Sequence, residues 1–154
     1  MPPSCAEHRF LATARVARLA TADENGRPHV VPICFALVEG RLVTPLDDKP
    51  KDVDPRSLRR VRDIEANPYV AVIVDRYTDD WTELGWVQMR GTARLVAPSD
   101  IDHGPAVDAL RTKYSQYADH ALDHRPAIVI DPGHTVSWGS LTADQANHFN
   151  SPNS

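Results

Sequence analysis

Residues 45–68 read PLDDKPKDVDPRSLRRVRDIEANP, and this stretch stands out by its charge. Its segment 49–62 carries six basic and two acidic side chains, a local charge of +4 in a chain whose formal net charge is −4. A basic island in an acidic protein indicates a specific anion rather than general solubility. The alternative is a solvated helix surface with weak ion pairs, and the charge pattern alone leaves both interpretations open.

The second half of this stretch predicts a helix. An aspartate followed by a proline at 54–55 is typical of a helix start, because the carboxylate caps free N–H groups and proline fits the first turn. The dipeptide Asn-Pro at 67–68 predicts the helix end, since a residue before proline avoids helical backbone angles. An apolar stripe recurs every three residues and is expected to face the core: Leu58, Val61 and Ile64.

Basic side chains come both before and within this predicted helix. Lys49 and Lys51 lie in the preceding loop, and Arg56, Arg59 and Arg60 share a helical face near its beginning. Free N–H groups and the positive end of the helix dipole lie at the same place. Such an arrangement could hold a phosphate or several carboxylates through charge-assisted hydrogen bonds.

Outward from this stretch, apolar runs and alternating patterns predict a mainly β fold. Strands are expected at 16–21, 28–37, 42–45, 69–74 and 84–96, with two last pieces at 127–130 and 135–138. Tight turns predict an antiparallel meander of the first three strands. Pro32 cannot donate to a ladder, which indicates a sheet edge or a bulge. The long strand 84–96 has one small apolar face, as is typical of a barrel wall.

Two further helices are expected, at 4–13 and at about 105–119. Ser4 with Glu7 forms a capping-box pattern at the start of the first. Together these elements predict an α+β protein with six or seven mostly antiparallel strands, which form a small β-barrel with helices packed outside. We expect one domain at 1–140 and a polar tail at 141–154.

Composition narrows the classes of function. The chain has 154 residues, 42% of them hydrophobic and 25% charged, as in an ordinary soluble domain. No apolar run approaches the roughly 18 residues of a membrane span, and the start does not have the pattern of a secretory signal. Two cysteines far apart, Cys5 and Cys34, favour free thiols and a cytoplasmic location. The negative net charge disfavours nucleic acid as a partner.

No catalytic or metal-binding motif stands out. The seven glycines form neither a dinucleotide-binding nor a P-loop motif, so the basic stretch is the best candidate anion site. His120 and His124 have a helical ligand spacing, but the nearby Pro126 argues against a metal pair, so no metal is predicted. Trp81 and Trp138 are more typical of packing than of cofactor contact when each is taken singly. No catalytic residue is predicted.

Three segments, in this order, carry a family resemblance. They are LATADENGRPHVVPICF at 19–35, DDKPK at 47–51 followed by LRRVRDIEANPYVAVIVD at 58–75, and YTDDWTELGWVQMRGTARLV at 77–96. Over about residues 7–140 the chain resembles the pyridoxamine 5′-phosphate oxidase-like split-barrel superfamily. It is most similar to an actinobacterial branch of probable oxidoreductases that depend on the deazaflavin coenzyme F420.

The resemblance implies an FMN-binding type of split barrel and a homodimer with two sites across the subunit interface. It implies that the ring of the cofactor lies beside one set of residues, Val31, Pro32 and Ile33, with Thr44 and Pro45 at its edge. It also implies that the phosphate or acidic tail meets a basic set, Lys49, Lys51, Arg59 and Arg60. Trp81 and Trp138 would come from the partner subunit.

The function that the resemblance implies is hydride transfer between reduced F420 and a small organic substrate. One alternative is an FMN-dependent oxidase or flavin reductase of the same fold. The vitamin oxidase itself is disfavoured, because the sequence shows no extra basic set for pyridoxamine phosphate. A third interpretation is a flavin- or F420-binding protein without turnover. No membrane partner is expected.

Overall fold

A computed structural model of the chain describes residues 3–46 and 58–141. Three α-helices span Cys5–Thr13 (α1), Arg59–Ala66 (α2) and His103–Lys113 (α3). Seven strands span Ala17–Ala22 (β1), Pro28–Ile33 (β2), Ala36–Val38 (β3), Arg41–Pro45 (β4), Tyr69–Arg76 (β5), Gly85–Val96 (β6) and Ala127–Gly139 (β7). Short 3-10 turns lie at Trp81–Glu83, Ser115–Asp119 and Leu122–His124.

The strands form one antiparallel sheet in the order β2-β1-β5-β6-β7-β4-β3. This confirms the predicted α+β split barrel with flanking helices. The predicted three-strand meander is wrong. The β1–β2 and β3–β4 hairpins lie at opposite edges of the sheet, because β4 pairs with β7 and not with β2.

The predicted strand at 28–37 is two strands separated by Cys34 and Phe35. Side chains satisfy the backbone groups that leave the ladder here: the hydroxyl of Thr44 donates to the Cys34 carbonyl, at 2.7 Å, and the Phe35 N–H donates to the hydroxyl of Tyr114, at 3.1 Å. The chain can therefore cross from one sheet edge to the other. Pro32 lies on an edge strand, as its missing donor predicts.

The last predicted strand pieces are one strand, β7, with a bulge. Arg90 on β6 pairs with His134 while Gly91 pairs with Pro132, so Gly133 is the extra residue that bends β7. The backbones approach so closely here that a Cβ on Gly91 would lie 1.9 Å from the Asp131 carbonyl oxygen. A glycine at position 91 is therefore required by the bulge.

Two helix boundaries differ from those expected. The described part of α2 begins at Arg59 after an extended Leu58, whereas the predicted start at 54–55 lies outside the described residues. Helix α3 includes Pro105, because a proline in the first turn gives up an N–H that has no helical partner there. It ends at Lys113, where the extended Tyr114 turns the chain into a 3-10 segment.

Two apolar clusters hold the sheet. The larger lies between α1, α2 and the inner face of the sheet, where Leu19, Val72 and Met89 are buried. The smaller lies on the outer face, where α3 covers the β3, β4 and β7 side of the sheet. Among the described residues, no element covers the outer face of β2, β1 and β5. No described helix is long and apolar enough to cross a membrane.

Candidate functional site

A cavity of about 230 Å³ lies at the break between β2 and β3. It brings together five of the residues predicted for the cofactor site: Pro32, Ile33, Thr44, Pro45 and Arg60. Val16, Cys34 and Tyr117 complete its lining. Residues from β2, β4 and α2, which are far apart in sequence, therefore meet in one place.

Side-chain hydrogen bonds hold the backbone at this break. Besides its bond with the Phe35 N–H, the hydroxyl of Tyr114 donates to the carbonyl of Arg15, at 2.8 Å. Thr44, which is buried, fixes the Cys34 carbonyl from the β4 side. The backbone between Pro32, which is exposed, and Ile33, which is buried in the inner cluster, is therefore anchored on both sides, and it forms the apolar wall of the cavity.

Arg60 is the cation of the described cavity lining. It is half-buried and occupies the second position of α2, at the positive end of that helix. The rest of the lining is apolar or uncharged. The cavity thus has the polarity expected for a flat ring with an anionic end.

Arg59, the neighbouring residue, points elsewhere. Its Nε lies 2.9 Å from the Oδ1 of buried Asp63, and its Nη2 lies 3.8 Å from the Oδ2 of Asp23 in the β1–β2 turn. Arg59 does not line the cavity. Its predicted contact with an anionic cofactor remains a prediction, and in this structure its charge is balanced by two carboxylates.

Three other predicted residues, Val31, Trp81 and Trp138, do not line the cavity. Val31 packs against the inner cluster, and Lys49 and Lys51 lie outside the described residues. Trp81 and Trp138 are 72% and 54% exposed. Ile128 on β7 pairs with Thr44, and Trp138 lies ten residues further along the same strand. Ten residues of a strand span up to about 30 Å, so Trp138 is far from the cavity. Their predicted role in a partner's site remains a prediction.

The sequence did not single out the end of α3 as part of this region. Lys113 places its Nζ 3.7 Å from the centre of the Phe35 ring and donates to the Leu11 carbonyl, at 3.3 Å. Burial, helped by the positive charge of Arg15, lowers the pKa of Lys113 to about 8. Burial also raises the pKa of Tyr114 above its ordinary value. No local pattern reveals these contacts, because they join residues about 80 to 100 positions apart.

A metal centre has no support in the part of the chain that the structure describes. Residues 3–46 and 58–141 contain no group of three or more His, Cys, Asp or Glu side chains that could hold a metal ion. Cys5 and Cys34 are both free thiols.

Comparisons with known proteins place the chain among its relatives. The sequence model of the pyridoxamine 5′-phosphate oxidase family matches residues 6–139. A 5a,11a-dehydrotetracycline/5a,11a-dehydrooxytetracycline reductase from Streptomyces rimosus is 30% identical over 139 residues, which are 90% of this chain and 84% of the relative.

Two solved structures illustrate the fold. The heme storage protein HutZ from Vibrio cholerae has a TM-score of 0.67 at 16% identity, with 86% of this chain and 89% of the other covered. An F420 reductase has a TM-score of 0.62 at 22% identity, with 87% and 98% covered. At such identities the likeness shows the fold alone.

Proposed function

Since this chain belongs to the pyridoxamine 5′-phosphate oxidase family, a family of oxidoreductase type, we propose that it transfers a hydride between reduced F420 and a small organic substrate. The observation that carries the proposal is the cavity at the β2–β3 break, with its apolar wall and Arg60 at one side. A deazaflavin has a planar ring and a phosphate-bearing tail, and these two parts fit the wall and the cation. The names of the Streptomyces relative and of the F420 reductase support reduction as the direction of the reaction.

The residues of the cavity would bind and orient the cofactor. Pro32 and Ile33 offer an apolar surface for the ring, and Pro45 lies at its edge. Arg60 would neutralise the phosphate by charge-assisted hydrogen bonds. An apolar wall also excludes water from one face of the ring, which protects a hydride donor and orients it.

The cofactor supplies the hydride when it is bound, so the chain need not provide a catalytic acid or base. A proton from solvent completes the reduction of an electron-poor double bond. The role of this chain is then to fix the ring, to neutralise the tail and to leave the open face of the ring to the substrate.

We further propose that a second copy of the chain completes the site. The cavity of about 230 Å³ is smaller than the roughly 300–1,000 Å³ of typical cofactor sites, so the residues described here form only part of the cofactor site.

A concave apolar groove of about 770 Å³ lies on the outer face of the sheet, between Ala20, Tyr69 and Thr92. Tyr69 is 72% exposed there, which is costly for a large ring unless another surface covers it. The groove continues across the strands β1, β5, β6 and β7. We propose that this groove is the surface against which a second copy packs in a two-fold dimer.

FMN is the second candidate cofactor, and one observation favours it. Arg60 is the charged group among the described residues that line the cavity, and a short monophosphate needs few cations. The longer acidic tail of F420 would need more positive charge, which Lys49 and Lys51 could add. A preference for FMN would indicate an oxidase or a flavin reductase.

The test is a fluorescence titration of the apo-protein with F420 and, separately, with FMN. Tight binding of F420 together with weak binding of FMN supports the proposal, and the reverse order supports the flavin alternative. Binding of neither would overturn both. A reduced cofactor that stays bound and is not oxidised by any of a panel of electron-poor alkenes would indicate a binding protein without turnover.

A further inference from the structure

A buried carboxylate lies beneath the basic face of α2. The side chain of Asp63 is 3% exposed, and its Oδ1 accepts a hydrogen bond from Arg59 Nε at 2.9 Å. Its Oδ2 accepts a hydrogen bond from the hydroxyl of Thr21, on β1, at 2.7 Å. A carboxylate so deeply buried is tolerated only when it is paired and hydrogen-bonded, so these contacts are part of the fold of this region.

Arg59 extends the same network to the β1–β2 turn. Its Nη2 lies 3.8 Å from Oδ2 of Asp23, whose Oδ1 accepts hydrogen bonds from the N–H groups of Arg27 and Asn25, each at 2.9 Å. The Arg27 N–H, the Asn25 N–H and the Arg59 cation together lower the pKa of Asp23 below its ordinary value. Arg59 thus links α2 to both β1 and the turn.

The network also fixes the direction of the next side chain. Consecutive residues of an α-helix point about 100° apart, so a helix whose Arg59 is held against β1 must direct Arg60 to another side. In this structure that side is the cavity at the β2–β3 break. Because Asp63 lies one helical turn after Arg59, it holds the first turn of α2 without touching the cavity itself.

We infer that Asp63 is a positioning residue for the anion end of the cofactor, and that it acts through Arg59 and Thr21 to direct Arg60 into the cavity. The inference rests on the proposed function, since it needs a phosphate-bearing cofactor in that cavity. It assigns Arg59 to the support of α2, and it assigns contact with the phosphate to Arg60. The sequence alone assigned both arginines to the anion.

The test compares a phosphate-bearing cofactor with its phosphate-free counterpart in the full chain. FMN is paired with riboflavin, and F420 with the deazaflavin alcohol that lacks the phosphate tail. For Asp63→Asn, we expect affinity for the phosphate-bearing member to fall about tenfold, the size of one charge-assisted hydrogen bond. Affinity for the phosphate-free member should stay within about twofold, because the apolar wall is unchanged.

Controls separate positioning from general damage. Asp63→Asn in an Arg60→Ala background should cost no further affinity, because both changes remove the same contact. If Asp63→Asn does not fold, Thr21→Val is a milder change, because it removes only the hydroxyl that donates to Asp63. It should lower affinity for the phosphate-bearing cofactor alone. Thr21→Ser keeps the hydroxyl and should bind like the wild type. Equal losses for both members of a pair, or no loss for either, would overturn the inference. If the wild-type chain binds none of the four compounds, the proposed function fails instead.

Discussion

Thr44 donates a hydrogen bond of 2.7 Å to the backbone carbonyl of Cys34, and this bond ties the end of β4 to the break between β2 and β3. Both residues line the cavity, so the same contact supports the fold and shapes the candidate site. Strand β4 is not paired with β2, since its two neighbours in the sheet are β3 and β7. The Thr44 hydroxyl therefore takes the place of the backbone N–H that would bond to such a carbonyl elsewhere in the sheet.

Replacement of Thr44 by valine keeps the shape of the side chain and removes this donor. The Cys34 carbonyl then has to be buried without its partner, so the free energy of unfolding should fall by about 1–3 kcal/mol. Affinity for the cofactor should fall as well, because the wall at Ile33 loses its anchor. Urea denaturation and cofactor titration measure the two effects. Thr44→Ser is the matched control, because it keeps the hydroxyl; a valine variant as stable as the wild type would show that the bond contributes nothing.

Arg60→Ala should weaken binding of the phosphate-bearing cofactor by about tenfold or more and leave the thermal midpoint of the apo-protein nearly unchanged. Arg60 lines the cavity, whereas Arg62 is an exposed cation on the same helix. Arg62→Ala removes the same charge from α2 without touching the cavity, so it should bind like the wild type. A lower midpoint with unchanged affinity for Arg60→Ala would make Arg60 a structural residue.

Local patterns in the sequence predicted the local structure well. The apolar face predicted for the strand 84–96 is the buried face of β6, which includes Val87 and Met89, and the predicted capping box of Ser4 and Glu7 marks the start of α1. Both signals depend on neighbours within a few residues, which is why a single sequence reveals them. The missing donor of Pro32 similarly predicted a sheet edge.

Contacts between distant residues could not be predicted in this way. The pairing of β4 with β7 joins Thr44 to Ile128, which lie 84 positions apart (the difference between their numbers), and no spacing rule covers such a separation. Which of Arg59 and Arg60 pairs with Asp63 depends on how α2 packs against β1, where Thr21 bonds to Asp63 from 42 positions away. A charge count shows that cations are present and gives no direction for any of them.

Tyr69→Glu should convert the proposed dimer into a monomer. The change puts a charge on the groove of the outer sheet face, where a second copy would have to desolvate it. Light scattering after size-exclusion chromatography measures the mass directly. Ile101, in the turn before α3, is 89% exposed and lies outside the groove, so Ile101→Glu is the control that should stay dimeric. A wild-type chain that is monomeric at all concentrations, or a dimeric Tyr69→Glu variant, would contradict this use of the groove.

Lys113 should make the stability of the protein depend on pH in an unusual window. Burial and the Arg15 cation lower its pKa to about 8 in the folded chain, against an ordinary value of 10.5. Below pH 8 the ammonium is present in both states, and the cost of burying it is fully present. Between about 8 and 10.5 the unfolded chain binds more protons than the folded chain, so this group makes the free energy of unfolding rise with pH.

Lys113→Met removes the titrating group and should remove that rise. Urea unfolding at several pH values from 7 to 10.5 should show the wild type gaining stability relative to the methionine variant as pH increases, whatever the offset from the lost contact with the Phe35 ring. Arg111→Met removes a cation from the same helix that does not titrate in this range, so its curve should run parallel to the wild type. Parallel curves for Lys113→Met and wild type would mean that the contacts with Phe35 and the Leu11 carbonyl offset the cost of burial and keep the amine protonated.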